Sequence, residues 1–230
     1  MQRRIAKFVN LNPFSKSATR WWTVHALVLA VLLILDGPLF RGFHAAIEWS
    51  STHRVFLFYE LTKNRHWDFF NQFGSAWAGI VIAIFIWIYD PPKRKYLVVL
   101  AAGMVLSTSI YYVLQHSVGK LRPVVTSGVV TYLVFPQGWT QHGNLSFPSG
   151  HATNASTLTA FLTLLYPRAK WLFFGMMVAC GIARVYFNAH YFSDVYAGAL
   201  NGWCSTYFFY SFVFCRYSKP IESSQESSDL

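Results

Sequence analysis

The chain has 230 residues, of which 54% are hydrophobic, 19% are aromatic and only 12% are charged. A water-soluble domain of this length usually carries about twice that charged fraction. The composition therefore excludes an ordinary soluble domain and indicates a protein embedded in a membrane. The net charge of +10 would suit nucleic acid, but the basic residues lie in several separate groups along the chain.

Six apolar stretches predict six transmembrane helices. Residues 21–40 contain a single charge, Asp36, while residues 96–114 and 195–214 contain none. Each approaches the roughly 20 residues that a membrane helix needs. Three shorter stretches can be extended by their flanks: 75–89, 149–166 and 171–187. The sequence thus predicts an all-α, polytopic membrane protein, with Asp36-Gly37-Pro38 ending the first span.

The positions of the basic residues predict the orientation in the membrane. Twelve of the nineteen lie before the first span or after the second, fourth and sixth: Arg3, Arg4, Lys7, Lys16, Arg20, Lys93, Arg94, Lys95, Arg168, Lys170, Arg216 and Lys219. Cytoplasmic segments are enriched in Lys and Arg, so both termini are predicted to be cytoplasmic. The charge then orients the chain in the bilayer, and nucleic acid is not expected as a partner.

Three regions follow from this plan. Residues 1–20 form a basic cytoplasmic segment, residues 21–216 form the six-helix domain, and residues 217–230 form a polar tail that is predicted to be disordered. The first span lacks an A-x-A-like cleavage site and is predicted to be an uncleaved anchor. The aromatic, amphipathic stretch 41–74 is either an interfacial anchor or a lid over a lipid substrate.

Three short polar groups at the span ends carry the candidate chemistry: Arg122-Pro123, Pro148-Ser149-Gly150-His151, and Arg184 with His190 and Asp194. The two arginines offer forked, permanently charged donors that suit a phosphate. Ser149 and Gly150 open a helix whose first N–H groups can face an anion, and His151 can protonate a leaving oxygen. His190 and Asp194 are four residues apart, so they share a helix face where the carboxylate can orient the imidazole for attack on phosphorus.

Each of these residues also has a plainer interpretation. An arginine near a span end can extend to the interface, a loop histidine can bond there, and Pro-Ser-Gly can be a simple turn. A metal site built from His151, His190 and Asp194 would lack a fourth ligand. The predicted topology places all three groups on the outer face, and this coincidence favours one phosphate site.

The three groups resemble the signature of the type-2 phosphatidic acid phosphatase family, over residues 115–194. The resemblance implies that His190 is the nucleophile that forms a phosphohistidine, that Asp194 orients it, and that His151 is the general acid. It implies that the phosphate is held by Arg122, Arg184, Ser149 and Gly150. Neither a metal nor a cofactor is implied.

The chain departs from the family pattern at two positions. Gln115 stands where the family has a lysine, seven residues before the Arg-Pro, and Ala183 replaces the serine before the third motif's arginine. Gln115 can still donate to phosphate, but a charged donor is about twice as strong. Lys120, Lys63 or Arg65 is a candidate replacement for the missing cation; the alternative is that these residues contact lipid headgroups.

The sequence therefore predicts an inner-membrane lipid phosphate or pyrophosphate phosphatase whose site faces the periplasm or outside. One alternative is a phosphotransferase, since residues 61–65 with Asp68 faintly resemble bacterial lipid A 1-diphosphate synthases. Another is a catalytically weak protein that binds lipid headgroups, as Gln115 and Ala183 would allow. Neither the lipid nor the oligomeric state follows from the sequence.

Overall fold

The computed structural model describes residues 16–52, 64–140 and 143–212, and helices dominate these ranges. Their α-helices are α1 Lys16–Thr52, α2 Asn64–Gln72, α3 Ala76–Tyr89, α4 Leu97–Val118, α5 Pro123–Thr126, α6 Gly150–Leu165, α7 Lys170–Tyr186 and α8 Phe192–Tyr210. The described residues form no strand, and extended segments meet only at isolated bridges such as Lys120 to Tyr132. The all-α prediction is confirmed. Residues 1–15, Lys63 and the tail 217–230 lie outside the described residues.

Within the described ranges, three helices are long and apolar enough to cross a membrane: Ser17–Thr52, Pro91–Val118 and Pro167–Tyr186. A fourth candidate is the pair His66–Gln72 and Ala76–Tyr89, which is bent by 63°. The predicted fourth and sixth spans are helices in the structure, but they are less typical of a span. α6 has only 16 residues, and α8 carries polar side chains such as Asn201 and Thr206.

The predicted end of the first span at Asp36-Gly37-Pro38 is wrong, because α1 continues through Pro38 to Thr52. Asp36 is fully buried, and its carboxylate accepts hydrogen bonds from Lys120 and Ser193. These hydrogen bonds replace those that water would make to the carboxylate, so Asp36 can be buried within a continuous helix. The continuation passes close to the segment before α8, where Phe40 lies 5.3 Å from the ring of Tyr191.

α6 is the central helix; eleven of its sixteen residues are buried, and it packs against α4, α7 and α8. The contact with α8 depends on Gly198 and Gly202, which are four residues apart. A Cβ atom on Gly198 would stand 2.4 Å from the Ser149 carbonyl oxygen, and one on Gly202 would stand 2.2 Å from that of Thr153. Small residues at this spacing let two helix backbones approach closely. The contact sets the start of α6 against the start of α8, where the second and third motifs lie.

The basic turns meet at the opposite end of the bundle. The Tyr166 hydroxyl, just after α6, donates to Asp90 Oδ2 over 2.9 Å, just after α3. Lys93 pairs with Asp90 and lies 4.2 Å from the centre of the Tyr166 ring. The basic turns, which the sequence predicts to be cytoplasmic, are therefore separated by the length of α6 from the three motifs.

Candidate active site

His190 lies in the short segment between α7 and α8, and it is 3% exposed. Its Nδ1 atom is 2.8 Å from the carbonyl oxygen of Ser146. A carbonyl oxygen can only accept, so Nδ1 carries the proton and Nε2 keeps its lone pair. The local fold thus fixes the tautomer that a nucleophilic imidazole needs.

Asp194, the predicted orienting partner, is also close to this imidazole. Its Oδ2 atom lies 3.9 Å from His190 Nδ1, which is too long for a hydrogen bond. The same oxygen accepts the backbone N–H of Tyr191 over 2.8 Å, closing the first turn of α8. Asp194 therefore acts on His190 through its charge and through the helix start, while Ser146 supplies the direct hydrogen bond.

The protonation state of His190 follows from its surroundings. Burial and the positive charges of Arg184 and Arg122 hold the pKa of the His190 imidazole well below its usual range. Both effects disfavour a further positive charge at this place. The imidazole is therefore neutral at pH 7 and carries a free lone pair.

The start of α6 forms one wall of the site. The Ser149 side chain caps the helix by accepting the Ala152 N–H over 3.4 Å, and the Ser149 N–H donates to the Asp194 carbonyl oxygen over 2.9 Å. The first N–H groups of a helix have no carbonyl partner within that helix, so those of Gly150 and His151 can face an anion. The His151 side chain is half-buried at the same helix end.

The two arginines are held by different parts of the chain. Arg122 Nε donates to the Leu145 carbonyl oxygen over 3.1 Å, and Arg184 Nη1 donates to Asn71 Oδ1 over 3.0 Å. Arg184 Nε is buried and has no hydrogen-bond partner among the described residues. A buried donor without a partner is costly, and a phosphate oxygen would satisfy it.

The two remaining candidates lie in different places. Gln115 Nε2 donates over 3.2 Å to the Leu145 carbonyl oxygen, which also accepts from Arg122 Nε. The Gln115 side chain therefore lies beside that of Arg122. Lys120 is fully buried, and its Nζ donates to Asp36 Oδ2 over 2.6 Å, to Asp194 Oδ1 over 2.8 Å and to Ser193 Oγ over 2.9 Å. An ammonium has three N–H groups, so none is left for a phosphate. The structure does not bring the Lys120 charge to the phosphate, because two carboxylates already hold it.

The structure adds residues that sequence reasoning missed, namely Asp36, Ser146 and Asn71. Only Asp36 gave a signal, as the single charge in an apolar span, where an ionisable residue usually has a function. Ser146 acts through its backbone and Asn71 belongs to a distant helix. Among the described residues, no three His, Cys, Asp or Glu side chains are grouped to hold a metal ion.

Comparison with known proteins places this site in a family. Residues 96–218 match the PAP2 superfamily. The chain is 28% identical to the lipid A 4'-phosphatase of Bacteroides thetaiotaomicron over 190 residues, which are 74% of this chain and 80% of that protein. It is 30% identical to the undecaprenyl-diphosphatase of Sulfolobus acidocaldarius over 147 residues, which are 63% of this chain and 68% of that protein.

A solved structure supports the same assignment. The crystal structure of Aquifex aeolicus LpxE superposes with a TM-score of 0.51 at 25% identity, covering 63% of this chain and 83% of that one. The matched region contains all three motifs and the helices that bring them together. The chain belongs to the PAP2 superfamily, the family that its three motifs resemble.

Proposed function

We propose that this protein hydrolyses a lipid phosphate or pyrophosphate through a phosphohistidine formed on His190. The observation that carries the proposal is the hydrogen bond from His190 Nδ1 to the Ser146 carbonyl oxygen, 2.8 Å long, in a nearly fully buried side chain. It leaves Nε2 as the lone-pair atom beside two arginines. Nucleophilic attack on phosphorus requires a neutral, oriented imidazole next to cations that hold the phosphate. Here Arg122 and Arg184 are those cations and form the phosphate clamp.

The reaction then has two balanced steps. With the negatively charged phosphate bound beside it, His151 is protonated. His190 Nε2 forms a bond to phosphorus, the bond from phosphorus to the lipid-side oxygen breaks, and the His151 imidazolium gives its proton to that oxygen. Water then attacks the phosphohistidine, His151 takes a proton from the water, and inorganic phosphate leaves with Nε2 restored. Arg122, Arg184 and the N–H groups at the start of α6 stabilise the charge on the equatorial oxygens in both steps.

We propose six spans, with the site at the outer leaflet. The basic turns at Lys93 and Arg168 lie at the end of the bundle opposite to His151, His190 and Arg122, which supports this orientation. A helix rises about 1.5 Å per residue, so α6 and α8 extend roughly 24 and 28 Å and can complete a six-helix bundle. α6 is shielded from lipid by its neighbours, so its threonines and serines do not oppose this placement.

The names of the relatives bring two substrate classes to this chain, the phosphates of lipid A and undecaprenyl diphosphate. Both present a phosphate group on a lipid at the membrane surface. The chain supplies two arginines and a neutral Gln115 where the family pattern has three cations, so the clamp compensates less negative charge. This favours a phosphate monoester over a more highly charged pyrophosphate.

The test is phosphate release by the full chain in detergent from four separate substrates: lipid A, undecaprenyl diphosphate, phosphatidic acid and phosphatidylglycerol phosphate. Each reaction is run with EDTA, and then with orthovanadate as an inhibitor that occupies the phosphate site. We expect release that survives EDTA and is lost with orthovanadate and in His190→Ala. A His190→Ala enzyme that releases phosphate at the parent rate contradicts the proposed route.

Two further measurements separate hydrolysis from its alternatives. Quenching in alkaline denaturant, where the P–N bond of phosphohistidine is stable, with a labelled phosphate donor is expected to trap label on the parent protein and none on His190→Ala. Label that appears on a second lipid and not in free phosphate would identify a phosphotransferase. Binding of the lipids without any turnover would identify a headgroup-binding protein.

A further inference from the structure

A charged cluster lies beside the proposed nucleophile, on the side of His190 Nδ1. It consists of Asp36 on α1, Lys120 in the loop after α4, and Ser193 and Asp194 at the start of α8. All four side chains are fully buried. Two carboxylates and one ammonium leave the cluster with a net negative charge. Burying three charges is expensive unless each is paired, so the cluster needs an explanation beyond packing.

Lys120 is the centre of this cluster. Its three N–H groups are divided among Asp36, Asp194 and Ser193, at 2.6, 2.8 and 2.9 Å. The ring of Tyr191 lies 4.4 Å from Nζ and closes the remaining side. Burial opposes the charged form, but the charges of Asp194 and Asp36 raise the pKa of Lys120 above its ordinary value. The ammonium therefore stays charged and fixed in one geometry.

Two connections run from Lys120 to His190. Through the side chain, Lys120 Nζ holds Asp194 Oδ1, and the other Asp194 oxygen lies 3.9 Å from His190 Nδ1. Through the backbone, the Lys120 carbonyl oxygen accepts the Ser146 N–H over 2.7 Å, and the Ser146 carbonyl oxygen accepts from His190 Nδ1. One residue thus fixes both groups that face the nucleophile from behind.

Asp36 in turn fixes Lys120 and the start of α8. Its Oδ1 accepts the Ser193 backbone N–H over 3.0 Å, and its Oδ2 accepts from Lys120 Nζ and from the Ser193 hydroxyl. Asp36 belongs to α1, which lies outside the region that matches the PAP2 superfamily. The first helix therefore reaches the site through this carboxylate.

We propose that Lys120 and Asp36 are positioning residues for the nucleophile, with Lys120 neutralising Asp194 and orienting His190 through Asp194 and Ser146. The inference rests on the proposed phosphohistidine route. Lys120 is thereby removed from the phosphate clamp and assigned to the opposite side of His190. Without its ammonium, the Asp194 carboxylate would be uncompensated next to the imidazole.

The main variant is Lys120→Met, which keeps the length of the side chain and removes its charge. We expect kcat to fall about 100-fold, the usual scale for a nucleophile displaced by about 1 Å, with KM changed less than about threefold. We also expect the acidic limb of kcat/KM to move to higher pH, because an uncompensated carboxylate favours the protonated imidazole. The charged and titratable groups that face His190 and enter this profile are Asp194, Arg184, Arg122 and His151.

The matched control is Lys93→Met, which breaks the ion pair with Asp90 at the far end of the bundle. It is expected to keep the parent kcat and pH profile. His190→Ala is assayed alongside: if it keeps activity, the proposed function fails, whereas a dead His190→Ala with a fully active Lys120→Met overturns only the present inference.

A double variant separates positioning from simple charge balance. Lys120→Met with Asp36→Asn returns the cluster to the parent net charge but leaves Asp194 without its ammonium. We expect this protein to fold and to remain slow, with the acidic limb still displaced. Recovery of the parent kcat would overturn the inference, since charge balance alone would then explain the cluster.

Asp36→Asn alone covers the case in which Lys120→Met does not fold. It keeps the contact of Lys120 with Asp194, and we expect about a tenfold loss in kcat at unchanged KM. Gel filtration and thermal unfolding in detergent give the folded fraction to which each kcat is normalised. A parent kcat and an unmoved pH profile in Asp36→Asn would overturn the role of the cluster.

Discussion

The contact between α6 and α8 gives a sharp test of how the site is assembled. In Gly198→Ala the new Cβ atom would stand 2.4 Å from the Ser149 carbonyl oxygen, 3.1 Å from Thr153 Oγ1 and 3.2 Å from Ala152 Cβ. An ordinary contact begins near 3.4 Å, so the two helix starts must separate by about 1 Å. Neither helix can yield locally, because the closest atom belongs to the backbone.

This displacement acts on the chemistry because His151 follows Ser149 on α6, while His190 precedes α8. A shift of about 1 Å between reacting groups costs about 100-fold in rate, or roughly 2.7 kcal/mol in the barrier. Overpacking of this kind also lowers the free energy of unfolding by about 1–3 kcal/mol. We therefore expect Gly198→Ala to remain folded near room temperature, with a lower Tm and about one hundredth of the parent kcat/KM.

The assay is phosphate release in detergent, with thermal unfolding followed on the same preparations. Gly175→Ala is the matched control, since a Cβ at Gly175 on α7 meets open space within 4 Å. Alanine is favoured over glycine in a helix, so this control should keep its activity, with a Tm equal to or above that of the parent. A Gly198→Ala enzyme with the parent kcat/KM would refute the view that the close approach of these helices sets the geometry of the site.

Three further outcomes follow from the site. Asn71→Ala removes the partner of Arg184 Nη1, so KM should rise by about tenfold while kcat changes little; a steady-state titration in which KM is unchanged would remove Asn71 from the clamp. The lowered pKa of His190 keeps the neutral nucleophile available as the pH falls, so the acidic limb of kcat/KM should lie below pH 6.5; a profile from pH 4 to 9 with its acidic limb above that value would contradict a lowered pKa of His190. Gln115→Lys places a cation beside Arg122 and should lower the inhibition constant of orthovanadate several-fold; a weaker inhibition would show that this side chain faces away from the phosphate.

Much of the fold was predictable because apolar runs and charge groups are local features. The spans at residues 96–114 and 171–187 appear as α4 and α7, and the prolines at Pro91 and Pro167 begin the turns that were predicted there. The first span was predicted too short, because the rule that a buried charge ends an apolar helix fails when the charge has partners. The partners of Asp36 are Lys120 and Ser193, which are too distant in the sequence for a local pattern to predict them.

The chemistry of the site could be named from the sequence, but its connections could not. The motifs identified the kinds of groups present, two arginines, two histidines and an aspartate, and charge distribution predicted that they share one face. The sequence also suggested Lys120 as a substitute for the missing cation, since the residue lies only two positions from Arg122. Its side chain points the other way, because Asp36 and Asp194 attract it into the bundle.

By itself, then, the sequence determines that this is a membrane protein and which family its motifs belong to, and it predicts an orientation from the charges. Such properties depend on composition and on spacings of a few residues. Only the tertiary structure decided that Ser146 fixes the tautomer of His190 across 44 residues, and that Asp36 holds Lys120 across 84. Those contacts exist because α6 and α8 pack backbone to backbone and α1 continues past them, and helix packing over such separations leaves no local trace in the chain.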